Sequence, residues 1–247
     1  MRDLTQRSPS WWLRPARFPL ASALAGKVLA VGYTLTGRHR YDDFRLERVH
    51  GAPILITPSV FNPKSLRTGA FFASQLDARV VPEGGEVLDM GTGSGVCALF
   101  AARLARRVVA VDINPAAVRC AGLNALLNHR EHLIEVRHGD LFAPLRGESF
   151  DLILFNPPFI RGTPRDDRDR AWRSVDVAER FAAGLAAHLK PGGSALVLLS
   201  SFGDPGFFLE EFHRQHLKVS LFATRRFVNE RVAIFRLQPE GTGDRHD

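Results

Sequence analysis

Four consecutive residues, Asn156-Pro-Pro-Phe159, carry the most specific chemistry in the sequence. An asparagine side-chain carbonyl and the carbonyl of the proline after it are two acceptors. The prolines fix the backbone φ angles, so both acceptors keep their aim. A planar NH2 group offers one N–H to each and turns its nitrogen lone pair towards an electrophile arriving from the open side. Amide and aryl amine nitrogens are poor nucleophiles, so the rate must come from positioning and electrostatics. Phe159 adds a flat face to stack on the same group. No metal is needed, and the proton can leave after the transfer. The plainer use of such a tetrapeptide is a loop stiffened by two prolines.

A second set of residues lies upstream. Val87-Leu-Asp-Met-Gly-Thr-Gly-Ser-Gly95 reads as a strand, a tight glycine loop and the start of a helix. Gly91, Gly93 and Gly95 let the backbone turn sharply and approach a ligand with no Cβ in the way. A dinucleotide-binding loop would have its third glycine at position 96, which is Val96. Asp112 ends the next strand, where a carboxylate can take both hydroxyls of a ribose. Asp140 follows the third strand in Gly139-Asp-Leu-Phe142, placed to accept from an adenine amino group. Each acid alone suits an ordinary strand-end turn. Together they put spaced acceptors at one edge of a sheet with no cluster of basic residues. That suits S-adenosylmethionine (SAM), which carries a sulfonium and an ammonium but no phosphate.

These residues need a scaffold that brings several strand ends to one edge. Strands are expected at Glu86–Met90, Val108–Val111, Leu133–Arg137, Asp151–Phe155 and Ala195–Ser200, and the closing pair at Val219–Ala223 and Arg231–Leu237. Helices are expected from Ser94 to about Arg106, from Pro115 to Leu127, from Asp176 to Leu189 with Lys190-Pro-Gly-Gly193 closing it, and near Phe207–His216. Alternating strands and helices imply an α/β fold, a doubly wound and mostly parallel seven-stranded sheet with ligands at the carboxyl ends of its strands. No helix separates the last two strands, so the final one should run antiparallel. Before this domain, Phe44–Val49 and Ile54–Ile56 flank His50-Gly-Ala-Pro53 as a hairpin, and Phe61-Asn-Pro63 leads into a helix through Gln75. The division expected is an extension over 1–60, the main domain over 61–239 and a disordered tail over 240–247.

Of 247 residues, 45% are hydrophobic and 24% charged, ordinary proportions for a globular protein with a core. Residues 1–50 hold nine basic residues against four acidic ones, which is most of the net charge of +7. This arm suits nucleic acid, an acidic partner or a membrane surface. Only four of the 33 basic residues are lysines, a skew that a GC-rich genome alone can produce. Leu20, Leu24, Val28, Val31 and Leu35 form a one-face stripe at helical period, so residues 18–35 read as an amphipathic helix packed on the domain rather than a membrane span. Cys97 and Cys120 fall in expected helices, too few for a disulfide framework, and imply a reducing, cytoplasmic setting. His129/His132 and His213/His216 have metal-compatible spacing but no third ligand nearby, and read as solvated helix ends. The run Arg165-Asp-Asp-Arg-Asp-Arg170 reads as a solvated lid, with Trp172 either closing over the acceptor or anchoring the next helix.

Residues 86–159 resemble the class I SAM-dependent methyltransferases. The Asn-Pro-Pro-Phe tetrapeptide resembles that of the HemK group, which methylates glutamine amides of translation release factors, and of enzymes that methylate the amino groups of adenine and guanine. The best-matched pieces are Asp112-Ile-Asn-Pro-Ala-Ala-Val118, Asn124, Gly139-Asp-Leu-Phe142 and Phe150-Asp-Leu-Ile-Leu-Phe-Asn-Pro-Pro-Phe159. The resemblance implies a Rossmann-like methyltransferase fold from about Val60 to Leu237. It implies SAM binding by Asp89, Gly91, Thr92, Gly93, Gly95, Asp112, Ile113, Asp140, Leu141 and Asn156, and an acceptor held by Asn156, Pro157, Pro158 and Phe159. Two positions depart from the HemK pattern. Asn62-Pro-Lys-Ser-Leu-Arg-Thr68 stands where those enzymes carry an acidic feature, and Phe159 stands where they more often carry tyrosine. A protein glutamine is the leading acceptor, and a nucleic-acid base or a small molecule stays open beside it.

Overall fold

A computed structural model describes residues 43–63, 67–164, 173–228 and 230–241. The basic arm up to residue 42, the 18–35 stripe, the 165–170 charge run and Trp172 lie outside these residues. Seven strands form one sheet: β3 (Glu86–Met90), β4 (Arg107–Asp112), β5 (Ile134–His138), β6 (Phe150–Phe155), β9 (Leu189–Ser200), β10 (Leu217–Arg226) and β11 (Arg231–Pro239). Their order is β10-β11-β9-β6-β3-β4-β5. The five strands from β9 to β5 pair in parallel, and β11 runs antiparallel to both β9 and β10. The expected doubly wound sheet with its antiparallel closing strand is the one observed.

The central strands are buried on both faces, and for that reason read as continuous runs such as Val-Val-Ala-Val and Leu-Ile-Leu-Phe rather than alternating ones. Helices α1 (Thr68–Ala73), α2 (Val96–Ala101) and α3 (Pro115–Leu127) pack with one face of the sheet, and α4 (Val177–Leu185) and α5 (Pro205–Arg214) with the other. A separate hairpin, β1 (Arg45–Val49) and β2 (Ala52–Ile56), adds Val49, Ile54 and Ile56 to the first of these cores. Asn124, fully buried in α3, fastens the hairpin down. Its Oδ1 accepts from the Leu55 N–H at 2.6 Å, and its Nδ2 donates to the carbonyls of Leu55 at 2.7 Å and Ser94 at 2.9 Å. One side chain thereby ties hairpin, helix and glycine loop together.

Several expected boundaries are corrected. Helix α1 follows Arg67 in the left-handed conformation (φ 60°) and ends at Ala73, short of the expected Gln75. Helix α2 stops at Ala101 because the chain beyond it is captured by the loop ahead of β3: the Leu104 carbonyl accepts from Gly84 N–H and Arg106 N–H donates to the Gly85 carbonyl. Helix α4 ends at Leu185, followed by a 3-10 turn over Ala186–His188, and Leu189 already pairs with Phe150. Lys190-Pro-Gly-Gly193 therefore does not close a helix but forms an irregularity within β9. Lys190 holds it by bridging Asp151 and Glu86 at 2.8 Å each. Glu240 N–H donates to the His216 carbonyl, and most of the expected tail, residues 242–247, lies outside the described residues. Two short strands pair in parallel where none was expected, β7 (Ile160–Arg161) with β8 (Arg173–Ser174). No helix among the described residues is long and apolar enough to cross a membrane.

Candidate active site

The carboxyl ends of β3, β4, β5 and β6 open on one cavity of about 550 Å³, within the roughly 300–1,000 Å³ of small-molecule sites. At the end of β3 the chain turns through Gly91 (φ 63°), Gly93 (φ 56°) and Gly95 (φ 78°), a left-handed conformation that side chains disfavour. Gly95 also lies where a Cβ would stand 3.1 Å from Ala121 of α3, so the helix and the loop touch backbone to backbone. Gly91, Thr92 and Gly93 line the cavity, whereas Gly95 sits behind its wall.

Asp89 and Asp112 brace this loop from two sides. Asp89 is 4% exposed and does not line the cavity. Its Oδ2 accepts from the Thr92 hydroxyl at 2.6 Å and from the Ala98 N–H at 3.0 Å, which joins the loop to α2. Burial pushes its carboxyl up to about 7, against the pull of those two hydrogen bonds. Asp112 lines the cavity and accepts from Gly93 N–H at 2.9 Å through Oδ2 and from Asn114 N–H at 2.8 Å through Oδ1. Each oxygen retains a second lone pair for a ligand hydroxyl. Ile113, 38% exposed, offers an apolar surface beside it.

Asp89 makes stability depend on pH in a direction that can be derived. Below its ordinary value of 3.8 the group is protonated folded and unfolded. Between 3.8 and about 7 the unfolded chain releases the proton while the fold retains it, so stability falls as pH rises, and the loss levels off above 7. Asp89→Asn removes this contribution. Melting measured from pH 4 to 8 should show the variant gaining on the parent up to about pH 7 and no further. A constant difference would place the Asp89 proton elsewhere.

Asp140 and Leu141 also line the cavity, with Leu141 in the left-handed conformation (φ 48°). The Asp140 carboxylate is held at 2.6 Å by Arg180 of α4, and Arg180 and Arg173 both reach the cavity wall. The expectation of a pocket without clustered basic residues is thus corrected. Its reason is tertiary: α4 and β8 fold back over the ends of β5 and β6 from distant parts of the sequence.

Asn156, Pro157, Pro158 and Phe159 follow β6 and line the cavity beside the glycine loop, since Phe155 pairs with Met90 of β3. The Asn156 Oδ1 is buried and has no hydrogen-bond partner among the described residues. A buried carbonyl oxygen without a donor costs about 1–3 kcal/mol, so its place in a cavity wall fits an oxygen that awaits a ligand N–H. The Phe159 end of the tetrapeptide is pinned by Gly203, where a Cβ would stand 2.1 Å from the Phe159 carbonyl oxygen. Phe202 and Glu230 line the cavity from the loops after β9 and before β11, and burial raises the Glu230 carboxyl while the Ser200 hydroxyl donates to it. Nothing in local sequence marks Gly203, Glu230 or Phe202 as site residues, nor Ser59, Val60 and Thr68, which cover the cavity from the other side. The cysteines stay out of the chemistry: both are buried, and burial pushes the Cys97 thiol well above its usual range. No cluster of three metal-binding side chains occurs among the described residues.

The profile of the methyltransferase small domain family matches residues 52–228. A release factor glutamine methyltransferase of Koribacter versatilis is 32% identical over 197 residues, covering 67% of this chain and 69% of that protein. A ribosomal RNA small subunit methyltransferase C of Alcanivorax borkumensis is 32% identical over 137 residues, covering 55% of this chain and 39% of that one. Among solved structures, a 16S rRNA N2 methyltransferase of T. thermophilus in complex with AdoMet and guanosine superposes with a TM-score of 0.58 at 26% identity, over 80% of this chain and 50% of that chain.

Proposed function

Given that the chain belongs to the methyltransferase small domain family, as a class I SAM-dependent enzyme resembling the HemK type, we propose that it methylates a planar nitrogen, the side-chain amide of a protein glutamine. The observation that carries this reading is the buried Asn156 Oδ1, without a partner among the described residues, in the wall of the cavity that the glycine loop and Asp112 also line. SAM, when bound, supplies the methyl group on a sulfonium. The residues fit it: Gly91 and Gly93, which put no Cβ atom in the wall, the open lone pairs of Asp112 and the apolar surface of Ile113. Asn156 Oδ1 and the Pro157 carbonyl each accept one N–H of the target, and Phe159 stacks on its plane. As the nitrogen bonds the methyl group released from the sulfonium, which would leave as a neutral thioether, it gains positive charge that these two oxygens stabilise until one of its protons passes to solvent. The Koribacter versatilis relative, named for glutamine methylation, supports the amide.

A second reading, the exocyclic amine of a nucleic-acid base, is favoured by the guanidinium groups of Arg173 and Arg180 in the cavity wall. Methyl transfer from labelled SAM to purified release factor and to 16S rRNA, run side by side, separates the two. Label in the glutamine of the protein is expected, and label in RNA alone overturns the amide reading. Cofactor binding has its own test. Asp112→Ala should weaken SAM by about 1.5–3 kcal/mol, the range for a hydrogen bond to a charged group. Calorimetry showing unchanged affinity would remove Asp112 from the site.

A further inference from the structure

On the face of the sheet that carries α1, the edge strand β10 and its neighbours bring arginines onto phenylalanine rings. The Arg225 guanidinium lies 5.5 Å from the Phe227 ring centre and 5.8 Å from that of Phe71. Arg67, just before α1, reaches the same Phe227 ring at 5.7 Å, and Arg236 of β11 lies 5.2 Å from the Phe222 ring. These are cation–π distances. Arg67 and Arg225 are exposed, and Phe222 and Phe227 are half-buried. No carboxylate among the described residues pairs with Arg67, Arg225 or Arg236, although other arginines of the chain are paired. Glu230 feels the charge of Arg67 but takes its hydrogen bond from Ser200. Two guanidinium groups thus converge on one ring with no carboxylate hydrogen-bonded to either among the described residues, an arrangement whose repulsion a bound polyanion would relieve.

The strip leads to the cavity. Arg67 precedes Thr68, and Phe227 N–H donates to the Glu230 carbonyl at 2.7 Å, with Thr68 and Glu230 both in the cavity wall. We propose that Arg67, Arg225 and Arg236, with Phe222 and Phe227, form a binding surface for a single-stranded polynucleotide at the mouth of the methyltransferase cavity. The phosphates meet the guanidinium groups, and unstacked bases meet the ring and guanidinium faces. An acidic polypeptide would satisfy the charges but has no use for the rings. Binding here is read without methyl transfer, so its failure leaves the reading of the cavity untouched.

The test uses the full chain and labelled RNA and DNA strands of one sequence, about 20 nucleotides long, to exceed a single-module site. Affinity is measured by fluorescence anisotropy across a salt series. Arg67→Gln with Arg225→Gln should lower the slope of log K against log salt by about 1.4, two phosphate contacts at about 0.7 each, and weaken binding about tenfold at low salt. Phe227→Leu keeps the side chain apolar but removes the ring. It should weaken binding about fivefold or more while leaving the salt slope unchanged. SAM affinity and melting temperature report that each variant is folded. A preference for RNA or for DNA identifies the source of the strand, and either supports the surface. Parent-like binding by the paired arginine variant overturns it, and so does polyglutamate competing as well as the polynucleotide.

Discussion

Asn156→Ala is expected to lower turnover by about 10²–10³ while SAM still binds, the usual loss when one preorganised electrostatic partner is removed from a reacting centre. The residue lies just past the end of β6, outside the paired strand, and its Oδ1 makes no hydrogen bond to a described residue, so no hydrogen bond of that oxygen is lost from the fold. Removing an unpartnered buried oxygen should if anything raise stability slightly. That combination, a stable protein that binds cofactor and fails to turn over, distinguishes a transition-state role from a structural one. Asn156→Asp is the sharper variant. It retains an acceptor oxygen and the shape, and adds a negative charge that favours the developing positive nitrogen but lets the carboxylate compete for the proton. Partial activity in the Asn156→Asp enzyme beside an inactive Asn156→Ala enzyme would establish the acceptor role. Full transfer by the Asn156→Ala variant would sink the mechanism.

Asn124→Ala should produce the largest loss of stability, about 2–5 kcal/mol. It leaves the half-buried Leu55 N–H and the buried Ser94 carbonyl without their partners, and the Leu55 carbonyl with only the weak Cys120 thiol donor at 3.3 Å. Urea denaturation should show a lower midpoint at unchanged slope, since the same surface is exposed. Asn124→Asp should be no better. It keeps one acceptor, loses both donors and buries a charge at a site with no exposure. A variant that melts with the parent would mean that the hairpin is held by its apolar contacts alone. Because Ser94 follows the glycine loop's second turn, SAM affinity should fall along with stability, which separates Asn124 from Asn156.

Periodicity and turn chemistry in the sequence determined the order of elements. Glu86–Met90 and Pro115–Leu127 match their expected bounds, because a strand buried on both faces and a helix with Asn114 capping it and proline at its first position leave local chemistry little choice. The glycine loop, the strand-end acids and the Asn-Pro-Pro-Phe tetrapeptide were equally legible, since each is contiguous and each sits where a strand must end. Tertiary structure decided the rest. Where α2 stops depends on Gly84 and Gly85, well upstream of it, and where β9 begins depends on Phe150 and Lys190. Asp89 could be read as a ligand residue from its place in the motif, but its burial and its bonds to Thr92 and Ala98 make it a brace of the loop. Asp140 meets Arg180, and Phe159 meets Gly203, across long stretches of intervening chain. Local sequence carries a residue's preference for helix, strand or turn. It does not carry the distance between two residues on different elements, and burial, charge pairing and the lining of a cavity are all properties of that distance.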